Sequence, residues 1–178
     1  VIVFLADLIL KGEKKHSVLS MLTGFLLVAQ VAVCFTAQPA TAFAGLYTAT
    51  AAAQVMKVIL TAGAFIVVVM AQSWIEREDV ARKEGEFYEL IISTLLGMYM
   101  MISSGHFLMF FLGLEMASVP MACLVAFDKY KKESAEGAAK FILTATFSSG
   151  VMLYGISFLY GACGTLYFDD MAAKISAT

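Results

Sequence analysis

The chain has 178 residues, of which 61% are hydrophobic and only 15% are charged, whereas soluble domains usually have about 45 to 50% apolar and about 25% charged residues. Its mean hydropathy is +0.84, which excludes a single water-soluble domain. The 12 basic and 14 acidic residues leave a net charge of −2, so the electrostatics give no reason to expect a nucleic-acid partner.

The opening segment, 1–10, is apolar but too short to cross a bilayer, which takes about 20 mostly apolar residues. It has no initiator Met and no basic region ahead of it, so it does not resemble a signal peptide. We interpret it as the tail of a truncated first helix. We expect the chain to be a fragment at both ends, with 169–178 as the start of a loop.

Long charge-free runs predict the other helices. Asp, Glu, Lys, Arg and His are all missing from 17–56, 58–75, 116–127 and 141–168. Turn residues near Pro39 and the Ser103–His106 turn divide the long stretches, because one helix across 87–127 would be about 60 Å long, roughly twice the bilayer core. The predicted helices are 1–10, 17–36, 51–72, 87–102, 107–127 and 134–161. The pattern predicts an all-α, polytopic transmembrane helix bundle, one domain over 1–178, with five complete spans plus the truncated first helix.

The basic residues predict the topology of this bundle. Nine of them fall in three alternate loops, at 11–15, 77–83 and 129–132, while the loops near Gln38 and Ser104 have none. By the positive-inside rule the three basic loops face the cytoplasm.

No motif in the sequence predicts a cofactor or a metal site. The cysteines lie in or at the ends of apolar helices without CxxC or Cys/His spacing, which is typical of small packing residues: Cys34, Cys123 and Cys163. Dinucleotide, metal-ligand and Ser/His/Asp patterns are missing. Four glycines inside the spans indicate close helix approach: Gly97, Gly113, Gly150 and Gly155.

The informative residues are charges that fall inside the apolar spans. An ionised side chain at the centre of a membrane helix costs about 2.5 to 3.5 kcal/mol, so such residues usually face the bundle interior and often mark an ion or proton path. They are Asp7, Lys57, Glu115, Glu136 and Lys140, with Glu89 near a helix end.

Glu115 is placed in the middle of its predicted helix, about 18 Å from the cytoplasmic loop, and Lys140 lies about 9 Å from that loop on the next helix. The two helices are antiparallel neighbours, so both groups could point into one polar pocket. Glu136 stands four residues before Lys140, a favourable ion-pair spacing. Because burial and an opposite charge shift a pKa in opposing directions, such groups can take up and release protons. The alternatives are a static Glu115–Lys140 pair that fixes helix packing and, for Lys57, a side chain that snorkels outward.

Four motifs in order resemble a known membrane family: GEFY at 85–88, LGLE at 112–115, SAEGAAKF at 134–141 and LYGISFLYG at 153–161. They are similar to the antiporter-like subunits of bacterial NADH-quinone oxidoreductase, respiratory complex I, and among these to subunit N. In the related subunits L and M and in multisubunit sodium/proton antiporters, a Trp commonly precedes the intramembrane Glu. Here Leu114 precedes Glu115, which favours subunit N.

The resemblance implies roles for individual residues. Glu115 would be the family's fifth-helix glutamate, and Glu136 and Lys140 the acid and lysine that open its sixth helix. Together with Lys57 as an additional candidate, they would form a proton relay. The family's best-known pumping lysines lie on its seventh and eighth helices, beyond this N-terminal fragment, so the fragment alone would not pump.

The implied function is that of a proton-translocating, non-redox membrane-arm subunit of NADH:quinone oxidoreductase in the bacterial inner membrane. The chain would hold no cofactor of its own, since NADH, flavin, iron–sulfur clusters and quinone would belong to other subunits. Its partners would be other membrane subunits, lipid and protons. The alternatives are a subunit of a cation/proton antiporter without redox coupling, or a helix-packing scaffold.

Overall fold

The computed structural model describes residues 2–9, 15–36, 38–75, 83–128 and 131–176. The helices are α1 (Ile2–Ile9), α2 (Lys15–Thr36), α3 (Ala51–Ile75), α4 (Glu84–Ile102), α5 (Phe107–Val125), α6 (Lys132–Cys163) and α7 (Phe168–Ser176). Between α2 and α3 lies a small antiparallel hairpin of β1 (Ala40–Ala42) and β2 (Tyr47–Ala49), joined by a tight turn at Phe43–Gly45.

Helices α1 to α6 each begin and end within three residues of their predicted bounds. Two local expectations were wrong. The segment that was expected to open a loop at 169–178 begins with helix α7, whose first turn has Asp169 and Asp170; carboxylates there are favoured by the positive end of the helix dipole. The connection near Pro39, for which no regular structure was predicted, contains the hairpin.

Four helical segments are long and apolar enough to cross a membrane, by length and composition: Val18–Thr36, Ala51–Ile75, Phe107–Val125 and Lys132–Cys163. Helix α4 has 19 residues, but three glutamates fall in its first two turns: Glu84, Glu86 and Glu89. The structure is therefore a predominantly helical bundle of the membrane type, and the predicted count of five complete spans is not confirmed.

The hydrophobic core lies among α1 to α4 and reaches the end of α5. Its most buried apolar members are Val3, Leu19, Leu27, Val68, Ile75, Tyr88, Ile91, Leu95 and Phe127. At the end near the basic segments, Trp74, Phe87 and Phe127 form an aromatic group with ring centroids 5.6 to 6.0 Å apart. Tilted and edge-on rings at these separations add to the free energy of apolar burial.

The closest helix pair is α4 and α5, which cross at two glycines. A Cβ atom added to Gly97 would lie 2.8 Å from the carbonyl oxygen of Gly113, and one added to Gly113 would lie equally close to that of Gly97. Only glycine allows backbones to approach so closely. The close approach predicted at Gly97 and Gly113 is therefore present, whereas Gly150 and Gly155 face no atom within 4 Å in the part of the chain described.

Helix α6 packs against the bundle along one side only. Its 32 residues make it about 48 Å long, and Ser149 is its one buried residue. Large apolar side chains project from most of its surface, for example Phe147 and Tyr154. In a membrane protein such a surface contacts lipid or other helices.

The connections between α2 and α3, between α4 and α5, and between α6 and α7 meet at one end of the bundle. Backbone hydrogen bonds join them: Thr48 N–H donates to the Ser103 carbonyl at 2.7 Å, and Phe107 N–H donates to the Leu166 carbonyl at 3.0 Å. His106 is buried, caps α5 by accepting from Leu108 N–H, and stacks edge-on with Tyr167. We call this end, formed by residues 40–49, 103–106 and 164–167, the hairpin end.

Candidate functional site

Glu115 occupies the middle of α5 and is half-buried. Among the residues that the structure describes it has no hydrogen-bond or ion-pair partner. Pro120, further along α5, has no N–H to donate to the Met116 carbonyl. The Met116 carbonyl, which is next to Glu115 in the chain, therefore lacks the backbone N–H that a regular helix would supply to it.

The crossing of α4 and α5 at Gly97 and Gly113 fixes the position of Glu115 along the axis of the bundle relative to the residues of α4. Gly97 lies against Ala117, and Gly113 lies against Met101. Tyr99 is midway between Gly97 and Met101, just as Glu115 is midway between Gly113 and Ala117. Glu115 and Tyr99 therefore lie at the same level of the bundle.

Glu136 and Lys140 form the ion pair expected from their spacing, with Lys140 Nζ 2.5 Å from Glu136 Oε1. The two side chains are 65% and 73% exposed, near the start of α6. The structure therefore pairs Lys140 with Glu136 and not with Glu115. A polar pocket shared by Glu115 and Lys140 stays a prediction.

Lys57 is the most enclosed of the four predicted site residues, with only 6% of its surface exposed. It lies six residues into α3, about 9 Å from the start of the helix. Its ammonium donates to the Tyr47 hydroxyl at 2.8 Å, and it lies 5.0 Å from the ring centroid of Tyr47 and 5.8 Å from that of Tyr99. The rings stabilise the cation by their negative faces. The Lys57 side chain therefore does not snorkel outward, which was the alternative expectation.

Thr61 connects this lysine to α4. It is fully buried, donates to the Lys57 carbonyl one turn back at 2.6 Å, and forms a short hydrogen bond with the Tyr99 hydroxyl. The side chains of Tyr47, Lys57, Thr61 and Tyr99 thus form a polar cluster that extends from the hairpin end to the level of Glu115. We call these four residues the Lys57 cluster.

Tyr47 belongs to the hairpin, outside the long helices, and is half-buried. Burial alone would raise the pKa of its phenol, but the hydrogen bond from Lys57, the nearby Ser103 hydroxyl and the positive charge of Lys57 act in the opposite direction, and the net effect lowers that pKa. The lowering is the expected response of a phenol to a neighbouring ammonium.

Sequence reasoning missed Tyr47, Thr61 and Tyr99 as site residues. Thr61 has one local signal, since it follows Lys57 by four residues and so lies on the same helix face. Tyr47 and Tyr99 come from other elements, 10 residues before and 42 residues after Lys57, and no spacing rule connects them. Only the packing of the hairpin and α4 against α3 brings them together.

We expect Thr61→Val to destabilise the bundle, because the change leaves the Tyr99 hydroxyl without its partner in a low-dielectric interior. A lost partner of this kind costs about 1 to 3 kcal/mol. The measurement is the thermal unfolding midpoint of the assembled protein in detergent.

Thr144→Val is the matched control, since Thr144 donates to the Lys140 carbonyl in the same local pattern but is exposed. Equal midpoints for the two variants would contradict the role given to Thr61.

The described residues contain no group of three or more His, Cys, Asp or Glu side chains that could hold a metal ion. What this arrangement can do chemically is hold and exchange protons. It combines a buried ammonium, a mid-helix carboxylate, and hydroxyl groups that both donate and accept hydrogen bonds.

The chain is similar to known membrane proteins. Residues 104–177 match the family described as NADH:quinone oxidoreductase/Mrp antiporter, transmembrane. The NADH-quinone oxidoreductase subunit N of Phocaeicola vulgatus is 53% identical over 178 residues, covering 100% of this chain and 38% of that protein. Subunit N of Azobacteroides pseudotrichonymphae is 43% identical and is covered to 37%.

Two solved structures of membrane complexes contain chains with a fold similar to that of this chain. A chain of the Thermus thermophilus respiratory complex I with bound aureothin matches 93% of this chain with a TM-score of 0.76 and 25% identity, and is itself covered to 35%. A chain of an archaeal membrane-bound sulfane sulfur reductase matches with a TM-score of 0.72 at 19% identity, a likeness of fold alone. The predicted resemblance to subunit N is confirmed. The chain spans little more than a third of the length of these relatives.

Proposed function

We propose that this chain, an integral membrane homologue of the subunit N proteins of NADH-quinone oxidoreductases, works as part of a proton-translocating membrane-arm subunit of that complex. The observation that carries the assignment is the 53% identity to a subunit N over all 178 residues. Redox chemistry would take place in other subunits, which would hold NADH, flavin, iron–sulfur clusters and quinone. The partners of this chain would be other membrane subunits, lipid and protons.

The proposed proton relay uses Glu115, Lys140, Glu136 and Lys57. Glu115 is a carboxylate in the middle of a membrane helix without a partner in the described chain. Lys57 is a buried ammonium whose hydrogen-bond partner among the described residues is a tyrosine hydroxyl and not a carboxylate. A proton relay needs ionisable side chains within the membrane-spanning helices, and both residues meet that requirement. Glu136 and Lys140, near the start of α6, would connect the relay toward the end of the bundle opposite the hairpin end.

The relay would run across the bacterial inner membrane. Basic residues cluster in the segments at 11–15, 77–83 and 129–132, which by the positive-inside rule face the cytoplasm. The hairpin end would then face outward. In this orientation the Glu136–Lys140 pair lies on the cytoplasmic side and Lys57 on the outer side, with Glu115 between them.

Lys140→Met tests the cytoplasmic part of this relay. The Lys140–Glu136 pair lies on the exposed surface of α6, where an apolar Met fits among the large apolar side chains that project from this helix, so assembly of the complete complex should be unaffected. We expect NADH-driven proton pumping in inside-out vesicles to fall several-fold.

Lys174→Met, at another exposed lysine near the hairpin end, is the control and should pump normally. Wild-type pumping by an assembled Lys140→Met complex would rule out Lys140 as a relay residue. Sodium-dependent proton flux without NADH oxidation would instead favour the antiporter alternative.

A further inference from the structure

The ammonium of Lys57 is hydrogen-bonded to a side chain of the hairpin end, that of Tyr47. The Tyr47 hydroxyl accepts from Lys57 Nζ at 2.8 Å, and it is the only hydrogen-bond partner of that ammonium among the residues described. The Tyr47 ring also lies beside the ammonium, at 5.0 Å. Any proton that leaves Lys57 toward the hairpin end therefore meets the Tyr47 oxygen first.

Tyr47 itself is held at the boundary of the bundle. It begins strand β2, pairs with Ala42 in the hairpin, and forms a bridge to Ser104 in the α4–α5 connection. The neighbouring Thr48 N–H donates to the Ser103 carbonyl at 2.7 Å. The backbone of Tyr47 is thus fixed on two sides, while its side chain is only half-buried.

The other groups around Lys57 do not offer an equivalent path. The Tyr99 hydroxyl is bonded to Thr61, which in turn donates to the Lys57 carbonyl and not to its ammonium. Cys34 of α2 is buried and accepts a hydrogen bond from Gln30 Nε2. Tyr99 and Thr61 therefore position the lysine, and Tyr47 is the group that touches its protons.

We propose that Tyr47 transfers the Lys57 proton to water at the hairpin end, an inference that rests on the relay proposed above. In this step an N–H bond of the Lys57 ammonium breaks and a new O–H bond forms on the Tyr47 oxygen. The phenol gives its original proton to a water molecule. Lys57 is left as a neutral amine, Tyr47 is again a neutral phenol, and one hydronium ion is formed, so atoms and charge balance.

A tyrosine hydroxyl suits this step because it accepts and donates hydrogen bonds with the same atom. The competing explanation is that Tyr47 only fastens the hairpin over α3. The two explanations separate in Tyr47→Phe, which keeps the ring beside Lys57 and removes only the oxygen.

The test uses the complete complex in inside-out vesicles, with the amount of intact complex measured on native gels and with proton pumping and NADH oxidation both measured as rates per intact complex. We expect Tyr47→Phe to assemble normally and to lower proton pumping by about tenfold or more, since a positioned proton-transfer group contributes about 10² to 10⁴ in rate. Tyr167→Phe removes a hydroxyl at the same end of the bundle that donates to the Ala44 carbonyl and not to the Lys57 cluster, and it should stay within about twofold of wild type. Tyr47→His, which restores a group that accepts and donates protons, should recover part of the loss.

The other possible results for Tyr47→Phe and Lys57→Met show which step of the proposal fails. Wild-type pumping by Tyr47→Phe would overturn the transfer step, and so would loss of assembly in Tyr47→Phe, because the hydroxyl would then be a structural latch. If Tyr47→Phe pumps normally while Lys57→Met does not, the transfer step fails but the relay through Lys57 stands. Wild-type pumping by Lys57→Met would remove Lys57 from the relay and the transfer step with it.

Discussion

Replacing Glu115 by Gln is expected to reduce NADH-driven proton pumping by about tenfold or more while the complex still assembles. Gln has nearly the same shape as Glu but cannot be ionised. Glu115 has no bonded partner among the described residues, so the substitution breaks no ion pair and removes a charge that is unfavourable inside a membrane. Stability should therefore be retained or improved. Pumping is measured in vesicles as the initial rate of pH-gradient formation per intact complex, beside the rate of NADH oxidation.

The control is Glu133→Gln, the same chemical change at an exposed carboxylate in the first turn of α6. It should leave pumping unchanged. A Glu115→Gln complex that assembles and pumps at the wild-type rate would contradict the relay, whereas one that fails to assemble would favour the helix-packing scaffold.

Replacing Gly97 by Ala is expected to destabilise the α4–α5 crossing. The added Cβ would lie 2.6 Å from the Met116 carbonyl carbon and 2.8 Å from the Gly113 carbonyl oxygen. These are backbone atoms of a neighbouring helix, which cannot rotate away as a side chain would. Overpacking of this kind costs about 1 to 3 kcal/mol, more than the roughly 1 kcal/mol that Ala gains over Gly in a helix. A lower thermal midpoint and a lower yield of intact complex are the measurements.

Gly63→Ala is the matched control in the same bundle. Gly63 of α3 lines an apolar cavity of about 590 Å³ between α3, α4 and α5, and an added Cβ there would meet no atom within 4 Å. Its thermal midpoint should be unchanged or raised. If Gly97→Ala were as stable as Gly63→Ala, the close crossing would be wrong, and with it the placement of Glu115 at the level of Tyr99.

The helices were predictable because the membrane makes a strong demand on composition. A span must be about 20 residues long and nearly free of charge, so the runs between charged residues locate α2, α3, α5 and α6 in the sequence. Helix α4 is harder, since Glu84, Glu86 and Glu89 occupy one end of it. The hairpin and α7 lie outside the membrane-length segments, where no such demand applies, and there the expectations were wrong.

The candidate site was only partly predictable. Its residues share one sequence signal but differ widely in how deeply the structure buries them. The same reasoning picked Lys57, Glu115, Glu136 and Lys140, because each is a charge in an apolar stretch. In the structure Lys57 is buried and Lys140 is 73% exposed. The sequence of a membrane helix does not indicate which of its faces points into the bundle, because the apolar residues of such a helix face lipid as readily as protein.

The sequence by itself determined the class of the protein, the positions of the long helices, the Glu136–Lys140 pair and the family resemblance, since these depend on composition and on contacts within a few residues. Only the tertiary structure decided that Tyr47, Thr61 and Tyr99 enclose Lys57 and that Glu115 stands level with Tyr99. The physical reason is that these relations depend on how the hairpin, α3, α4 and α5 pack against one another. That packing is set by backbone contacts, such as the one between Gly97 and Gly113, whose partners no local pattern identifies.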